Sequence, residues 1–251
     1  MANISYQQMF AEFRKRDNFA EMFRGTLEDM ADKVDFSQVK SCVAFGTGSG
    51  EREIEFVRRL LPNLRSFTAV EPDSESVETL RASFQDGQLP GVETSIIKTS
   101  MESWSGVDNN VDAVLLFNVL NHVHTANRKD LFQKLMTRYL SYGGLIVFCT
   151  MCDNIGSITN GFTLLLQRLG TPRADYYELE EETLAAGFRI LFSQDIEVRQ
   201  DLSNPSDGLV KFIQIRTGHK SSDSEVRTAI DEIFAQPNVG VNMNKLTIFT
   251  K

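Results

Sequence analysis

A glycine-rich segment is the part of this chain best suited to approach a cofactor. It reads Phe-Gly-Thr-Gly-Ser-Gly-Glu over residues 45–51 and directly follows the apolar run Ser41–Phe45. Glycine is required where a strand turns tightly into a helix and where backbone must approach a ligand, because a Cβ would clash there. The segment is G-x-G-x-G and lacks the later glycine of the G-x-G-x-x-G dinucleotide fingerprint, so it favours a ligand without a phosphate at this turn.

An acidic residue, Glu71, follows Gly50 by about 20 residues, the spacing expected for a ribose-binding carboxylate. It ends the second apolar run, Ser66–Val70. A carboxylate at this point can accept hydrogen bonds from both hydroxyls of a ribose, which NAD and S-adenosylmethionine both contain. The alternative interpretation is an ordinary βα turn followed by a solvated strand end.

Polar side chains also follow the third and fourth apolar runs. Open α/β sheets bind ligands beyond the carboxyl ends of their strands, so these side chains are candidates for a binding site. The alternative is that they cap the next helix and face water. They are Thr99 and Ser100 after the third run, and Asn118, Asn121, His122 and His124 after the fourth.

The elements that must position these residues alternate between strand and helix, which predicts a parallel sheet covered by helices on both faces. Apolar spacing over residues 5–31 predicts two helices with a break near Asp17. Residues 209–215 have the composition of a strand but follow a helix start at Pro205, so both interpretations stay open. Strands are predicted at 41–45, 66–70, 92–97, 111–117, 144–150, 189–198 and 245–250, and further helices after the first two strands and at 131–139, 158–169, 180–186 and 225–234.

Composition excludes several classes of protein. The 251 residues are 41% hydrophobic and 24% charged, and no run approaches the roughly 18 apolar residues of a membrane span. The net charge of −8 repels a nucleic-acid backbone. Three cysteines and an N-terminus without a signal-peptide pattern predict a cytoplasmic protein, and the pair Cys149 and Cys152 has no companion ligands, so no metal is expected.

Four stretches together resemble the motifs of class I S-adenosylmethionine-dependent methyltransferases. They are residues 45–51, 70–72, 99–100 and 112–118. Along nearly its whole length the chain is also similar to the histamine N-methyltransferases, through the pattern at residues 6–13 and the ending at 244–249. The resemblance implies a Rossmann-like methyltransferase fold with a mainly parallel seven-stranded sheet. It implies one domain over 1–251, an N-terminal helical cap over 1–35, and substrate-side insertions at 151–180 and 200–240.

The same resemblance implies a cofactor site for S-adenosylmethionine. Gly46 and its neighbours would pass beneath the methionine part, Glu71 would hold the ribose, and Ser100 would lie beside the adenine. Phe117 would back the cofactor. The full expected set is Gly46, Thr47, Gly48, Glu51, Glu71, Pro72, Thr99, Ser100 and Phe117.

The resemblance also implies a substrate site for a small-molecule amine. Asn118 stands where the family carries a glutamine that faces the amine, and Asn244 matches a family asparagine. Asn121 and His122 replace paired aromatics, and Trp104 is the only tryptophan, so the expected substrate is not histamine itself. Expected substrate-binding residues are Tyr6, Phe10, Asn118, Asn121, His122, Asn242 and Asn244, with Asn118, His122 and Asn244 as catalytic candidates.

Methyl transfer requires an unprotonated nucleophile held in line with the methyl group, so positioning supplies most of the rate. Asn118 and Asn244 would accept hydrogen bonds from an amine, and His122 would take a proton through water. Two alternatives stay open: a small-molecule O- or carboxyl-methyltransferase, and a methyltransferase-like binding protein without turnover. The chain is expected to act as a monomer, with a small-molecule substrate and without nucleic-acid or membrane partners.

Overall fold

A computed structural model describes residues 5–106, 110–120, 123–152, 154–155, 158–171, 175–236 and 239–251. The chain forms two compact units. We call the first the helical unit; it comprises Met1–Phe23, Met151–Asp175 and Asp195–Asn244. We call the second the sheet unit; it comprises Arg24–Thr150, Tyr176–Gln194 and Lys245–Lys251.

A seven-stranded sheet carries the fold, with strand order β3-β2-β1-β4-β5-β9-β8. Strands β1 to β5 pair in parallel, and the register places Phe45 of β1 opposite Val70 of β2. The last strand, β9, is antiparallel to β5, since the backbone N–H of Lys251 donates to the carbonyl of Gly144 at 3.0 Å. The predicted mainly parallel seven-stranded sheet is therefore confirmed. The strands are β1 (Ser41–Phe45), β2 (Ser66–Val70), β3 (Glu93–Ile97), β4 (Val111–Phe117), β5 (Leu140–Cys152), β8 (Arg189–Arg199) and β9 (Val241–Thr250), with a separate pair formed by β6 (Asn154–Ile155) and β7 (Ile158–Thr159).

Nine helices are described, most of them begun by a side-chain cap that satisfies an otherwise free backbone N–H. Ser5 and Ser222 form capping boxes at the starts of α1 and α9. None of the described helices combines the length and apolar character that crossing a membrane requires. The helices are α1 (Tyr6–Arg14), α2 (Phe19–Ala31), α3 (Glu51–Leu60), α4 (Ser74–Gln85), α5 (Thr125–Lys134), α6 (Gly161–Arg168), α7 (Tyr176–Ala185), α8 (Asp207–Arg216) and α9 (Asp223–Phe234).

Several elements differ from the sequence prediction, among them β5, β9 and α7, which begin at Leu140, Val241 and Tyr176 rather than at 144, 245 and 180. The helix expected at 131–139 begins earlier, as α5, and its last five residues, Leu135–Tyr139, form a π-helical turn that leads into β5. The helix expected at 158–169 begins at Gly161, because Asn160 caps it. Residues 209–215 lie within helix α8, which begins after the cap Ser206, so the local start signal prevails over strand-like composition.

The helical unit has its own hydrophobic core, built from α1, α6, α8 and α9. The ring of Phe13 lies 4.9 Å from those of both Phe162 and Phe212. Leu165, Leu209 and other aliphatic residues complete this core. The unit draws most of its residues from the segments that the sequence assigned to the cap and the insertions. The prediction that all 251 residues form a single domain stays a prediction.

Candidate cofactor site

The glycine loop after β1 has left-handed backbone at all three glycines. The φ angles are +59° at Gly46, +54° at Gly48 and +78° at Gly50, a region in which residues with a Cβ are strained. A Cβ added at Gly46 would lie 2.5 Å from a methyl of Val119, and one at Gly50 would lie 2.4 Å from a methyl of Leu80. At Gly48 nothing lies within 4 Å, so this glycine borders open space.

Glu71, at the end of β2, is buried at 6% exposure. Its Oε2 accepts the backbone N–H of Gly48 at 2.9 Å, and its Oε1 accepts the N–H of Asp73 at 2.9 Å. The carboxylate therefore joins the loop after β1 to the loop after β2. Each oxygen retains a further lone pair, so it can still accept a hydrogen bond from a ligand. The interpretation of Glu71 as a solvated strand end is wrong.

Thr47 lies between Gly46 and Gly48, the second of which borders the open space. It is 6% exposed, and its buried hydroxyl Oγ1 has no hydrogen-bond partner among the residues that the structure describes. Buried polar atoms are normally paired, so an unpaired hydroxyl in this loop fits a polar ligand there. Open space beside Gly48, a carboxylate at Glu71 and this hydroxyl together fit the polar groups of S-adenosylmethionine.

Thr99 and Ser100 follow β3 and are both half-buried. The Ser100 hydroxyl donates to the Ser103 hydroxyl at 3.2 Å, which holds the loop in a tight turn. Behind this turn a small cavity is lined by residues of the same loop and of α5. None of the predicted site residues lines that cavity, whose walls are Met101, Glu102, Trp104, Val123, Asn127, Asp130, Leu131, Lys134 and Tyr139.

Phe117 and Asn118 stand at the end of β4. Phe117 is buried and packs edge-on against Phe56 of α3, with ring centres 5.7 Å apart. Asn118 has a left-handed φ of +55°, and its backbone N–H donates to the carbonyl of Cys149 at 2.8 Å. The pairing with β5 thus continues one residue beyond β4 and ends in a sharp turn.

The structure describes only some of the remaining predicted residues. Asn121 and His122 lie outside the described residues. Glu51 begins α3 and Pro72 follows Glu71, and both are exposed. All of the expected cofactor residues lie in the sheet unit, at or after the carboxyl ends of β1, β2, β3 and β4, where parallel sheets bind ligands.

Tyr6 and Phe10, both expected at the substrate, lie in the helical unit. Their rings stack with centres 6.2 Å apart, and each also contacts Phe212, at 6.0 Å and 5.7 Å. Burial lowers the pKa of the nearby Arg216, and the Tyr6 hydroxyl opposes that shift. The two aromatic residues are therefore packed against α8, and a role in substrate binding stays a prediction.

Asn242 and Asn244 also lie in the helical unit, within β9 rather than in a turn before it. Asn242 Oδ1 accepts the backbone N–H of Gly161 at 2.9 Å, and its Nδ2 donates to Gln200 Oε1 at 2.5 Å. Asn244 is 2% exposed, and its Oδ1 has no hydrogen-bond partner among the described residues. The amide of Asn242 is thus used inside the protein, whereas the oxygen of Asn244 is buried and unpaired among the described residues.

The three cysteines are buried and form no disulfide. Burial raises the pKa of Cys42 well above its usual range, and the carboxylates of Glu53 and Asp112 add to that rise. A thiol with such a raised pKa stays protonated and unreactive at neutral pH. In the part of the chain that the structure describes, no group of three or more histidine, cysteine or acidic residues is placed to hold a metal ion.

Two buried residues were not anticipated from the sequence. Arg128 of α5 makes a bidentate ion pair with Glu182 of α7, at 2.7 and 2.8 Å, and also donates to the carbonyl of Val123 at 2.8 Å. Asn160 is buried at 1% exposure and caps α6. An asparagine directly before a glycine and an apolar run signals such a cap, but nothing in the sequence pairs Arg128 with Glu182.

Comparison with known proteins identifies the architecture. A structure from Bacillus halodurans described as a methyltransferase superposes with a TM-score of 0.62 at 13% identity, over 91% of this chain and 98% of that one. The fold is the Rossmann-like methyltransferase fold. Residues 43–144 match the family model of the methyltransferase domain, a range that contains the glycine loop, Glu71 and Asn118. A search among curated proteins returns no match.

Other solved structures with the methyltransferase fold differ in the molecules that they act on. Geranyl diphosphate C-methyltransferase from Streptomyces coelicolor, in complex with S-adenosylhomocysteine, has a TM-score of 0.56 at 16% identity, over 90% of this chain and 75% of that one. A cyclopropane synthase from Mycobacterium tuberculosis has a TM-score of 0.60 at 12% identity, over 90% and 83%. The cofactor predicted for this chain, S-adenosylmethionine, is the ligand in a solved structure of geranyl diphosphate methyltransferase. The comparisons do not show a resemblance to the histamine N-methyltransferases in particular, which stays a prediction.

Proposed function

We propose that this chain transfers a methyl group from S-adenosylmethionine to a small-molecule amine. The observation that carries the proposal is the buried carboxylate of Glu71, which is held by the N–H groups of Gly48 and Asp73 beside the open space at Gly48. A buried carboxylate with free lone pairs at this place suits the two hydroxyls of a ribose. The G-x-G-x-G loop supports a cofactor without a phosphate at the turn.

Nine residues of the sheet unit are proposed to hold the cofactor. The backbone at Gly46 and Gly48 allows close approach, and the Thr47 hydroxyl offers a hydrogen bond to a polar group. Glu71 would bind the ribose, and Ser100 and Phe117 would border the rest of the cofactor. Glu51, Pro72 and Thr99 complete the proposed set. When bound, S-adenosylmethionine supplies a methyl group on a positively charged sulfur.

The proposed work of the protein in methyl transfer is positioning and desolvation. An amine attacks only through a free lone pair, so the protein must bind it unprotonated and orient it. Amide oxygens can accept N–H hydrogen bonds from the amine without protonating it. Asn118 and Asn244 are proposed for that role, and His122 is proposed as the group that removes the proton.

Radiolabelled methyl transfer tests the proposal. The protein is incubated with S-adenosylmethionine labelled in the methyl group and with matched acceptors: primary amines, imidazoles, alcohols and carboxylic acids of similar size. We expect label in an amine or imidazole product, and none when Glu71→Ala replaces the native protein. Label only in alcohol or carboxylate products would replace the amine proposal by an O-methyltransferase. Cofactor binding without any transfer would point to a binding protein.

We also propose that the protein is a monomer located in the cytoplasm. Three buried cysteines without a disulfide are consistent with a reducing compartment. Light scattering during size-exclusion chromatography measures the mass directly. A mass near 28.3 kDa supports the monomer, and twice that mass would contradict it.

A further inference from the structure

Three buried polar atoms at the start of α6 and on β9 have no hydrogen-bond partner among the described residues. They are Nδ2 of Asn160, Oγ1 of Thr163 and Oδ1 of Asn244. The residues are 1%, 2% and 2% exposed. Buried polar atoms are paired in almost all native structures because an unpaired one loses its hydrogen bonds to water without replacement. Three such atoms in one unit therefore require an explanation.

Local contacts place these three residues on two segments that hydrogen-bond to each other, the start of α6 and β9. Asn160 caps α6, and its Oδ1 accepts the backbone N–H of Thr163 at 3.1 Å, so both residues belong to the first turn of that helix. The same turn is tied to β9, because Asn242 Oδ1 accepts the N–H of Gly161 at 2.9 Å. Asn244 follows Asn242 by two residues on β9, and alternate residues of a strand point to the same face. The amide of Asn244 thus faces the side on which α6 begins.

The unpaired atoms differ in hydrogen-bonding character. Asn160 Nδ2 can only donate, Asn244 Oδ1 can only accept, and the Thr163 hydroxyl can do either. The other half of the Asn160 amide is already used by the helix cap, which fixes the orientation of its nitrogen. None of the three side chains carries a charge. An ionic group bound among them would lose its water without gaining an opposite charge from these side chains, which is unfavourable.

We propose that Asn160, Thr163 and Asn244 form a binding site for a small uncharged group that both donates and accepts hydrogen bonds. Carboxamides, hydroxyls and neutral imidazoles belong to this class. An anionic carboxylate lacks the donor that Asn244 needs, and an amidinium lacks the acceptor that Asn160 needs. Identification of the occupant as the methyl acceptor rests on the proposed function, whereas the binding site itself does not. Asn160 then becomes a specificity residue that favours the neutral form of an acceptor.

Three isosteric probes test the site: acetamide, acetate and acetamidinium. Each is titrated without cofactor into nitrogen-15-labelled protein, and the side-chain amide signals of Asn160 and Asn244 are followed by NMR. We expect acetamide to shift both signals in a saturable manner, and acetate and acetamidinium to leave them unchanged. No shift with acetamide, or equal shifts with all three probes, would overturn the proposal and leave buried water as the explanation of the unpaired atoms.

Asn160→Asp is the decisive variant because its carboxylate keeps an oxygen that caps α6 and replaces the donor by a charged accepting oxygen. Acetamide affinity should fall at least about tenfold, as expected for a lost buried hydrogen bond. Asn160→Ser keeps the cap through a hydroxyl and serves if the aspartate variant does not fold. Unchanged acetamide affinity in the folded variant would contradict the assignment of Asn160.

A matched control and a separate readout keep this test apart from the proposed function. Ser206→Asn alters the cap of α8, in the same unit, and should leave acetamide binding unchanged. Binding of S-adenosylhomocysteine to the native protein reports on the proposed function alone. If acetamide binds and S-adenosylhomocysteine does not, the site stands and the proposed function fails.

Discussion

Gly46 and Gly48 share a left-handed backbone but differ in what surrounds them. The space beside Gly46 is filled by Val119, whereas the space beside Gly48 is open. In Gly48→Ala we expect a loss of about 1–2 kcal/mol of unfolding free energy from the backbone alone. Affinity for S-adenosylhomocysteine should fall about tenfold or more, equivalent to about 1.4 kcal/mol, because the new methyl group occupies ligand space.

Gly46→Ala is the matched comparison, since it adds the same methyl group where protein already stands. Its unfolding free energy should fall by about 1–3 kcal/mol more than that of Gly48→Ala, owing to overpacking against Val119. Urea unfolding and calorimetric titration measure the two quantities. A Gly48→Ala protein that binds S-adenosylhomocysteine as tightly as the native one would show that the open space is not the cofactor's.

Glu71→Gln tests the carboxylate at nearly constant size. The amide keeps one accepting oxygen but replaces the other by a donor, which faces either the N–H of Gly48 or that of Asp73. We expect S-adenosylhomocysteine affinity to fall at least tenfold, since hydrogen bonds to charged groups contribute about 1.5–3 kcal/mol. Glu78→Gln, on the exposed side of α4, is the control and should bind normally. Normal binding by Glu71→Gln would remove this residue from the cofactor site.

Asn118→Gly separates the amide of Asn118 from its backbone, because glycine adopts φ of +55° without strain. We expect methyl transfer to fall about tenfold or more, the equivalent of about 1.4 kcal/mol, with little change in S-adenosylhomocysteine affinity. Asn204→Gly, at an exposed residue with φ of +50°, controls for glycine itself. A loss of cofactor affinity without a loss of turnover would place Asn118 at the cofactor rather than at the acceptor.

At the scale of elements, α5 and α7 depend on the buried ion pair of Arg128 with Glu182. The two side chains are 3% and 6% exposed, so removal of one partner leaves an uncompensated buried charge. Arg128→Leu should cost about 3–5 kcal/mol of unfolding free energy in urea, and Leu at both positions should recover much of it. Arg81→Leu, which breaks an exposed pair with Glu78, should cost less than about 1 kcal/mol. A double variant no more stable than Arg128→Leu would contradict this explanation.

Elements with a strong local signal were predicted correctly, and those decided by distant contacts were not. The runs Ser41–Phe45, Ser66–Val70 and Val111–Phe117 are apolar and end in turn residues, and their observed bounds match the prediction. The π-helical turn at Leu135–Tyr139 has no sequence signal, because it arises where α5 must join β5. Residues 209–215 show a cap prevailing over β-branched composition.

The candidate site likewise has features that the local sequence predicts and features that depend on distant contacts. Gly46, Gly48 and Glu71 were predicted because a strand, a glycine turn and an acidic strand end recur at fixed spacing. The hydrogen bonds from Gly48 and Asp73 to Glu71 were not predicted, since they depend on the parallel register of β1 and β2. The buried oxygen of Asn244 was likewise not predictable, because a strand's sequence does not show which of its polar groups find partners.

At the scale of the whole molecule, the fold says less about the substrate than the residues of the binding site do. Solved structures with this fold include a terpene C-methyltransferase and a cyclopropane synthase. A shared fold therefore leaves the methyl acceptor undetermined. In this chain the expected cofactor residues lie in the sheet unit, and Tyr6, Phe10, Asn242 and Asn244 lie in the helical unit. Each unit must therefore be tested through its own residues.

The glycine loop and Glu71 are proposed to bind S-adenosylmethionine rather than a dinucleotide. Calorimetric titration of the native protein with S-adenosylhomocysteine, and separately with NAD, measures this directly. We expect one molecule of S-adenosylhomocysteine to bind per chain with a micromolar dissociation constant, and NAD to give no binding heat. Tight binding of NAD with none of S-adenosylhomocysteine would contradict the claim.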